Sequence, residues 1–135
     1  MSRFPILLCG LAFALLLRAE TPAEDTDATQ ARRAIALIEQ LRDGDYETSQ
    51  KDFDDAMKNA LPPDRLEQTW RSIMGQTGRL LALQSAGASD HEGYRIHHVD
   101  CSFERGELVA DVVFSAQGQV AGLFFRPKPP EIADQ

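Results

Sequence analysis

The stretch from Val99 to Phe125, VDCSFERGELVADVVFSAQGQVAGLFF, decides the fold. Its β-branched and aromatic runs are punctuated at Arg105-Gly106 and Gln117-Gly118, a composition that suits hairpin turns. With RLLALQSAGAS and YRIHHVDCSFE upstream, and DHEG between them, it predicts four antiparallel strands: Arg79–Ser89, Tyr94–Glu104, Glu107–Ala116 and Gln119–Pro127. If both Xaa-Gly turns are two-residue loops, Glu104 faces Glu107, Phe103 faces Leu108, Cys101 faces Ala110 and Val99 faces Val112. The second turn then sets Phe114 opposite Ala121, Val112 opposite Leu123 and Ala110 opposite Phe125. Alternation places all of these except the glutamates on one apolar face.

The other face collects His98, Asp100, Ser102, Asp111, Ser115 and Arg126 among Val109, Val113, Val120 and Phe124. In this register Asp100 lies directly across from Asp111, a like-charge pair that needs a cation nearby. Arg126, diagonal to Asp111, is the candidate, and His98 is diagonal as well. His98, Asp100, Asp111 and Arg126 are therefore the candidate polar cluster, on the face turned away from the helices. The register is sensitive to bulges, because a one-residue slip exchanges a strand's faces.

Ahead of the strands the period becomes helical. Asp27 and Gln30 have the spacing of a capping box; Ala31, Ala34, Ile35, Ile38 and Leu41 share a face, and Gly44 stops the helix. A second helix, capped by Asp45, carries Tyr46, Phe53, Met57 and Ala60. A third opens at Pro62-Pro63 with Asp64 and Glu67 in its first turn, and buries Leu66, Trp70, Ile73 and Met74. Helices followed by strands give an α+β domain, three N-terminal helices on a four-stranded antiparallel sheet. Small residues on the apolar face, together with the helical aromatics, make Tyr46, Phe53, Trp70, Cys101, Ala110 and Ala121 the candidate pocket lining.

The chain has 135 residues and a net charge of −7. Arg3, the apolar run Ile6–Leu17 and Ala19 have the form of an export signal, too short for a comfortable membrane span. Domain organisation then reads as signal peptide 1–19, disordered leader 20–27, one domain over 28–127 and a frayed tail 128–135. The chain is expected to be periplasmic or secreted, touching membrane only through the signal if that stays uncleaved. Cleavage removes Arg3 and Arg18, leaving the mature chain two charges more acidic and disfavouring nucleic-acid binding. Cys101 is then the single cysteine, so no internal disulfide is expected.

Motifs for catalysis are sparse. DFDDAM at Asp52–Met57 lacks the glycine and closing glutamate of a calcium loop. There is no Gly-rich phosphate loop, Gly-x-Ser-x-Gly elbow or paired cysteines. His97, at the end of the apolar face, is the sole polar candidate there for proton transfer and is read as a satisfied, half-buried histidine; His91-Glu92 is read as a loop pair. No cofactor, metal site or catalytic residue is expected.

The run GDYETSQKDFDDAMKNALPPDRLEQTWRSIMGQTGRL, with the cysteine-containing strand and GQVAGLFFRP, resembles the bacterial domain of unknown function family thirty-eight eighty-seven. The resemblance covers Ala34 to Pro127 and is most specific at Gly44-Asp45-Tyr46, Phe53-Asp54, Trp70, Gly78 and GQVAGLFF. It implies a nuclear transport factor two-like (cystatin-like) cone of helices on a curved sheet. Members are often exported and some precede a serine hydrolase domain. No such domain follows in this sequence and the family brings no catalytic residues, so no hydrolase activity is expected to carry over. The wider superfamily includes isomerases and dehydratases, which place acids and bases inside the cone, beside binding and dimerisation modules. The expectation is a non-catalytic exported domain that binds an apolar small ligand or a protein partner. The alternatives are a module that homodimerises through the sheet and a small isomerase- or dehydratase-type enzyme.

Overall fold

The computed structural model describes residues 26–129. The export signal expected over 1–19 lies outside them, as does the expected leader apart from Thr26 and Asp27, which open the first helix. Helix α1 (Thr26–Asp43) ends where Gly44 turns to φ +80° and the Gly44 and Asp45 amides donate to the Leu41 and Gln40 carbonyls. Ala34, Leu37, Ile38 and Leu41 form its buried stripe.

Among the described residues there are four helices, where the sequence pattern predicts three. The expected second helix divides into α2 (Tyr46–Ser49) and α3 (Asp55–Ala60). Phe53 makes an isolated parallel bridge to Val120, with the Val120 amide donating to the Asp52 carbonyl and the Asp54 amide to the Val120 carbonyl. Backbone committed to the sheet cannot stay helical. The Asp54 carboxylate then accepts from the Met57 amide at 2.8 Å and caps a new helix. Helix α4 (Pro63–Thr77) starts at the expected proline pair and buries Leu66 and Trp70.

Strands β1 (Leu80–His91), β2 (Tyr94–Phe103), β3 (Gly106–Phe114) and β4 (Val120–Pro127) form one antiparallel sheet in sequence order. The architecture is α+β. The β1–β2 turn is Glu92-Gly93, both at positive φ as in a type I′ hairpin turn, so Asp90 and His91 belong to β1 rather than to the expected loop.

The β2–β3 register corrects the expected one by two residues. The turn is Glu104-Arg105, so Phe103 pairs with Gly106, Cys101 with Leu108, Val99 with Ala110 and Asp100 with Val109. The physical reason lies at the end of α4: the Arg105 amide donates to the Thr77 carbonyl, the Glu104 amide to the Arg79 carbonyl, and the Glu104 carboxylate accepts from the Arg79 amide. Docked in this way, Glu104 and Arg105 form the bend and Gly106 opens the next strand. A two-residue shift preserves which side chains point inward, so Val99, Cys101, Phe103, Ala110, Val112, Phe114 and Leu123 are all buried.

Between β3 and β4 the pairing of Val112 with Leu123 and Ala110 with Phe125 agrees with expectation. A bulge next to Val113 sets Phe114 opposite Val120 instead of Ala121, and Val120 turns into the core. The connection runs through Ser115–Gln119, held by the Ser115 hydroxyl, which accepts from the Gln117 and Gln119 amides, and by Arg33, which donates to the Gly118 carbonyl. Trp70 centres the core, its ring 5.9 Å from Phe103 and 6.0 Å from Phe125. Among the described residues, no helix is long and apolar enough to cross a membrane.

Candidate functional site

The two faces of β2 carry different chemistry. On the helix-free face a polar row crosses all four strands. The Ser89 hydroxyl of β1 lies 3.0 Å from His98 Nε2, and His98 Nδ1 lies 2.7 Å from Asp111 Oδ1. Arg126 Nε donates to Asp111 Oδ2 at 2.8 Å, and a second guanidinium nitrogen donates to Oδ1 at 3.3 Å. Of the expected cluster, His98, Asp111 and Arg126 therefore come together, and His98 sits directly opposite Asp111 instead of diagonally.

Asp100 does not face Asp111. The register carries it to Val109, where its carboxylate accepts from Lys128 Nζ at 3.3 Å. Lys128 opens the expected frayed tail, yet this contact and its amide bond to the Glu107 carbonyl hold it. Burial acts to raise the Asp111 pKa, but hydrogen bonds from Arg126 and His98 outweigh it and hold the carboxyl below its ordinary range. Beside this row Phe124 is 60% exposed and lies over Gly122: a β-carbon there would stand 3.0 Å from the Phe124 ring and 3.2 Å from a Val113 methyl.

The second constellation gathers at the end of the inner face. His97 is buried at 3% exposure, its Nε2 is 3.2 Å from Gln30 Oε1, and its ring meets the Phe114 ring edge-on at 5.5 Å. Asp27, one turn before Gln30, accepts both Nε and a terminal nitrogen of Arg95, which also donates to Asp90 at 2.9 Å. The pair expected as a capping box is thus spent on β2. Asp27, Gln30, Asp90, Gly93, Tyr94, Arg95, Ser115 and Ala116 line a cleft of about 290 Å³. Burial lowers the His97 pKa, reinforced by Arg95 and His98 and opposed by Asp27, which favours the neutral ring.

The expected pocket-lining residues separate. Phe53, Trp70, Cys101 and Ala110 pack into the buried core, Tyr46 is half-buried against it, and Ala121 borders a groove with Leu61, Arg65 and Phe124. Burial pushes the Cys101 thiol up to about 12, the condition of an inert core cysteine. Among the described residues, no group of three or more His, Cys, Asp or Glu side chains is arranged to hold a metal.

Residues 34–123 match the family described as "Protein of unknown function (DUF3887)", and the chain belongs to it. Esterase EstD of Thermotoga maritima (strain ATCC 43589 / DSM 3109 / JCM 10099 / NBRC 100826 / MSB8) is 25% identical over 95 residues. That alignment covers 70% of this chain but 23% of the esterase, so the chain spans less than a quarter of that relative's length. No solved structure gives a significant match.

Proposed function

We propose that this is an exported, non-catalytic binding module that docks protein surface onto the helix-free face of its sheet, with the same face of a second copy as the occupant. The observation that carries it is the make-up of that face. Exposed Phe124 lies against Gly122, which Val113 also borders, beside a row that holds both charge signs, Asp111 and Arg126. A mixed-sign face with an exposed aromatic on its edge strand can be self-complementary under a two-fold axis. The reading takes the domain as a nuclear transport factor two-like (cystatin-like) cone. The match to part of Esterase EstD supports a module that occurs beside other sequence. The apolar-ligand version draws less support, because Phe53, Trp70, Cys101 and Ala110 pack against one another.

Sedimentation equilibrium of the mature chain is the test. A dimer that Phe124→Asp converts to a monomer, with the fold retained by circular dichroism, supports the reading. A wild-type monomer at the highest soluble concentration removes it. Export is checked separately by sequencing the N-terminus of the protein recovered outside the cytoplasm, where Glu20 is the expected first residue.

A small isomerase- or dehydratase-type enzyme is the second reading, favoured by His97 beside an open cleft. Its partner carboxylate, Asp27, is 3.8 Å from the ring and tied down by Arg95. Deuterium uptake from solvent into ketone or hydroxy-acid probes, lost in His97→Gln, would move the enzyme to first place.

A further inference from the structure

The sheet has two outer edges, β1 and β4, and they are built differently. The pairing of β1 with β2 shifts register twice, between Leu80 and Ala82 and between Ser85 and Ala88, which bends that edge strand. Strand β4 keeps an unbroken register with β3 from Gly122 to Pro127. Along it the backbone groups turn alternately inward and outward. The Lys128 amide donates to the Glu107 carbonyl of β3, so Arg126, Phe124 and Gly122 also turn theirs toward β3. Leu123 and Phe125 therefore aim their amides and carbonyls outward. Val120 does the same at the start of the strand, and there the chain fills the edge itself. The Val120 amide donates to the Asp52 carbonyl, and the Asp54 amide to the Val120 carbonyl. Helix α3 then leads the chain away, and among the described residues no strand continues that pairing past Val120. Beside the free edge runs a groove of about 700 Å³. Met57, Leu61 and Thr69 line its helical side, and Leu123 and Phe124 its sheet side. Among the described residues that line it, Arg65 is the one charged side chain. Arg65 has no ion-pair partner among the described residues, whereas Arg71, also on α4, is held by Glu67.

We infer that the outer edge of β4 takes up a short extended peptide segment as an added strand, one that carries an aliphatic side chain and a carboxylate two residues apart. Leu123 and Phe125 each offer an amide and a carbonyl, and these bind any sequence alike. Selectivity comes from the groove. Side chains two apart on a strand share a face, so the aliphatic one enters beside Leu61 and Leu123 while the carboxylate reaches Arg65. Charge complementarity favours the acidic segment, because the groove lining holds a cation and no carboxylate. The free edge closes at Pro127, which has no amide to donate, so the added strand is short. The inference does not rest on the homodimer, whose surface is the helix-free face.

The test titrates the full mature chain with acetyl-Thr-Ile-Thr-Glu-Thr-amide and follows the backbone by NMR. Saturable shifts and slowed solvent exchange are expected at the Leu123 and Phe125 amides. Glutamine in place of the peptide's glutamate is expected to weaken binding roughly threefold or more. Arg65→Glu, at an exposed helix position, is expected to weaken the glutamate peptide likewise and to prefer a lysine version. That reversal is one that a loss of structure would not produce. Methylating alternate peptide amides separates backbone pairing from side-chain contact: one set is expected to abolish binding and the other to leave it. Equal loss from both sets, no loss from either, equal binding of the glutamine peptide, or no saturable shift overturns the inference. Protection of the Leu123 and Phe125 amides that grows with protein concentration, without peptide, would assign the edge to a second copy and overturn it as well.

Discussion

His97 and His98 are neighbours in the chain and differ in almost everything else. His97 points among the helices, loses water, and its pKa falls for that reason. His98 points to the helix-free face and takes its place in the row from Ser89 to Arg126. One peptide unit thus divides a face that holds the fold from a face that is free to be used. The difference teaches that β-strand parity, rather than residue type, decides what each group can do.

The largest effects come from setting phenylalanines on the two faces against each other. Phe114, fully buried against His97 and under Arg33, is expected to cost ~3–5 kcal/mol on substitution by alanine. Phe124→Ala on the open face, measured on chain diluted until it is monomeric, is expected to cost about 0.5 kcal/mol or less. Urea denaturation of the two variants measures both. Comparable losses would mean that the open face is a structural layer as well, and the division between the two histidines would fail.

Within the open face, the two aspartates that the expected register had paired make the next contrast. Asp111→Asn weakens the bonds to both His98 and Arg126 at a site whose side chain is only 17% exposed, and is expected to cost ~1–2 kcal/mol. Asp100→Asn removes one partner of Lys128 at 3.3 Å, and is expected to cost about 0.5 kcal/mol or less. The same denaturation series ranks them. Equal costs would show that the row is no more coupled than an ordinary surface pair.

The alternation in Val99–Phe125 made the inner face legible because burial has period two and tolerates a two-residue register error. The β2–β3 cross-strand pairs were not legible for the same reason: parity cannot tell Asp100 opposite Asp111 from His98 opposite Asp111. What settles it is the end of α4, where Thr77 and Arg79 capture Glu104 and Arg105. That contact is tertiary and leaves no local trace. The break between α2 and α3 has the same origin in the Phe53–Val120 bridge. Behind the cleft at the end of the inner face, buried His97 was visible from parity. Asp27 and Gln30 were misassigned because capping spacing also puts two polar groups on one side of a helix, where β2 competes for them.

The smallest and most specific contrast is pH dependence. A buried His97 with a lowered pKa binds its proton less readily folded than unfolded, so the unfolded state takes up the proton first as pH falls. Its contribution to stability is therefore present above the ordinary histidine range and lost on acidification through the folded value. Asp27 opposes this by attracting the imidazolium, but Arg95 holds that carboxylate, Arg95 and His98 reinforce the shift, and Gln30 and Phe114 add no charge. Asp111 also carries a lowered pKa, so its contribution persists through the histidine range and fails only at more acidic pH. Thermal midpoints of the wild type should thus fall in two stages between about pH 7.5 and pH 3. His97→Gln should flatten the upper stage and leave the lower, and Asp111→Asn the reverse. If Asp111→Asn flattened the upper stage, the titration would belong to the open face and His97 would not be the buried partner in the contrast.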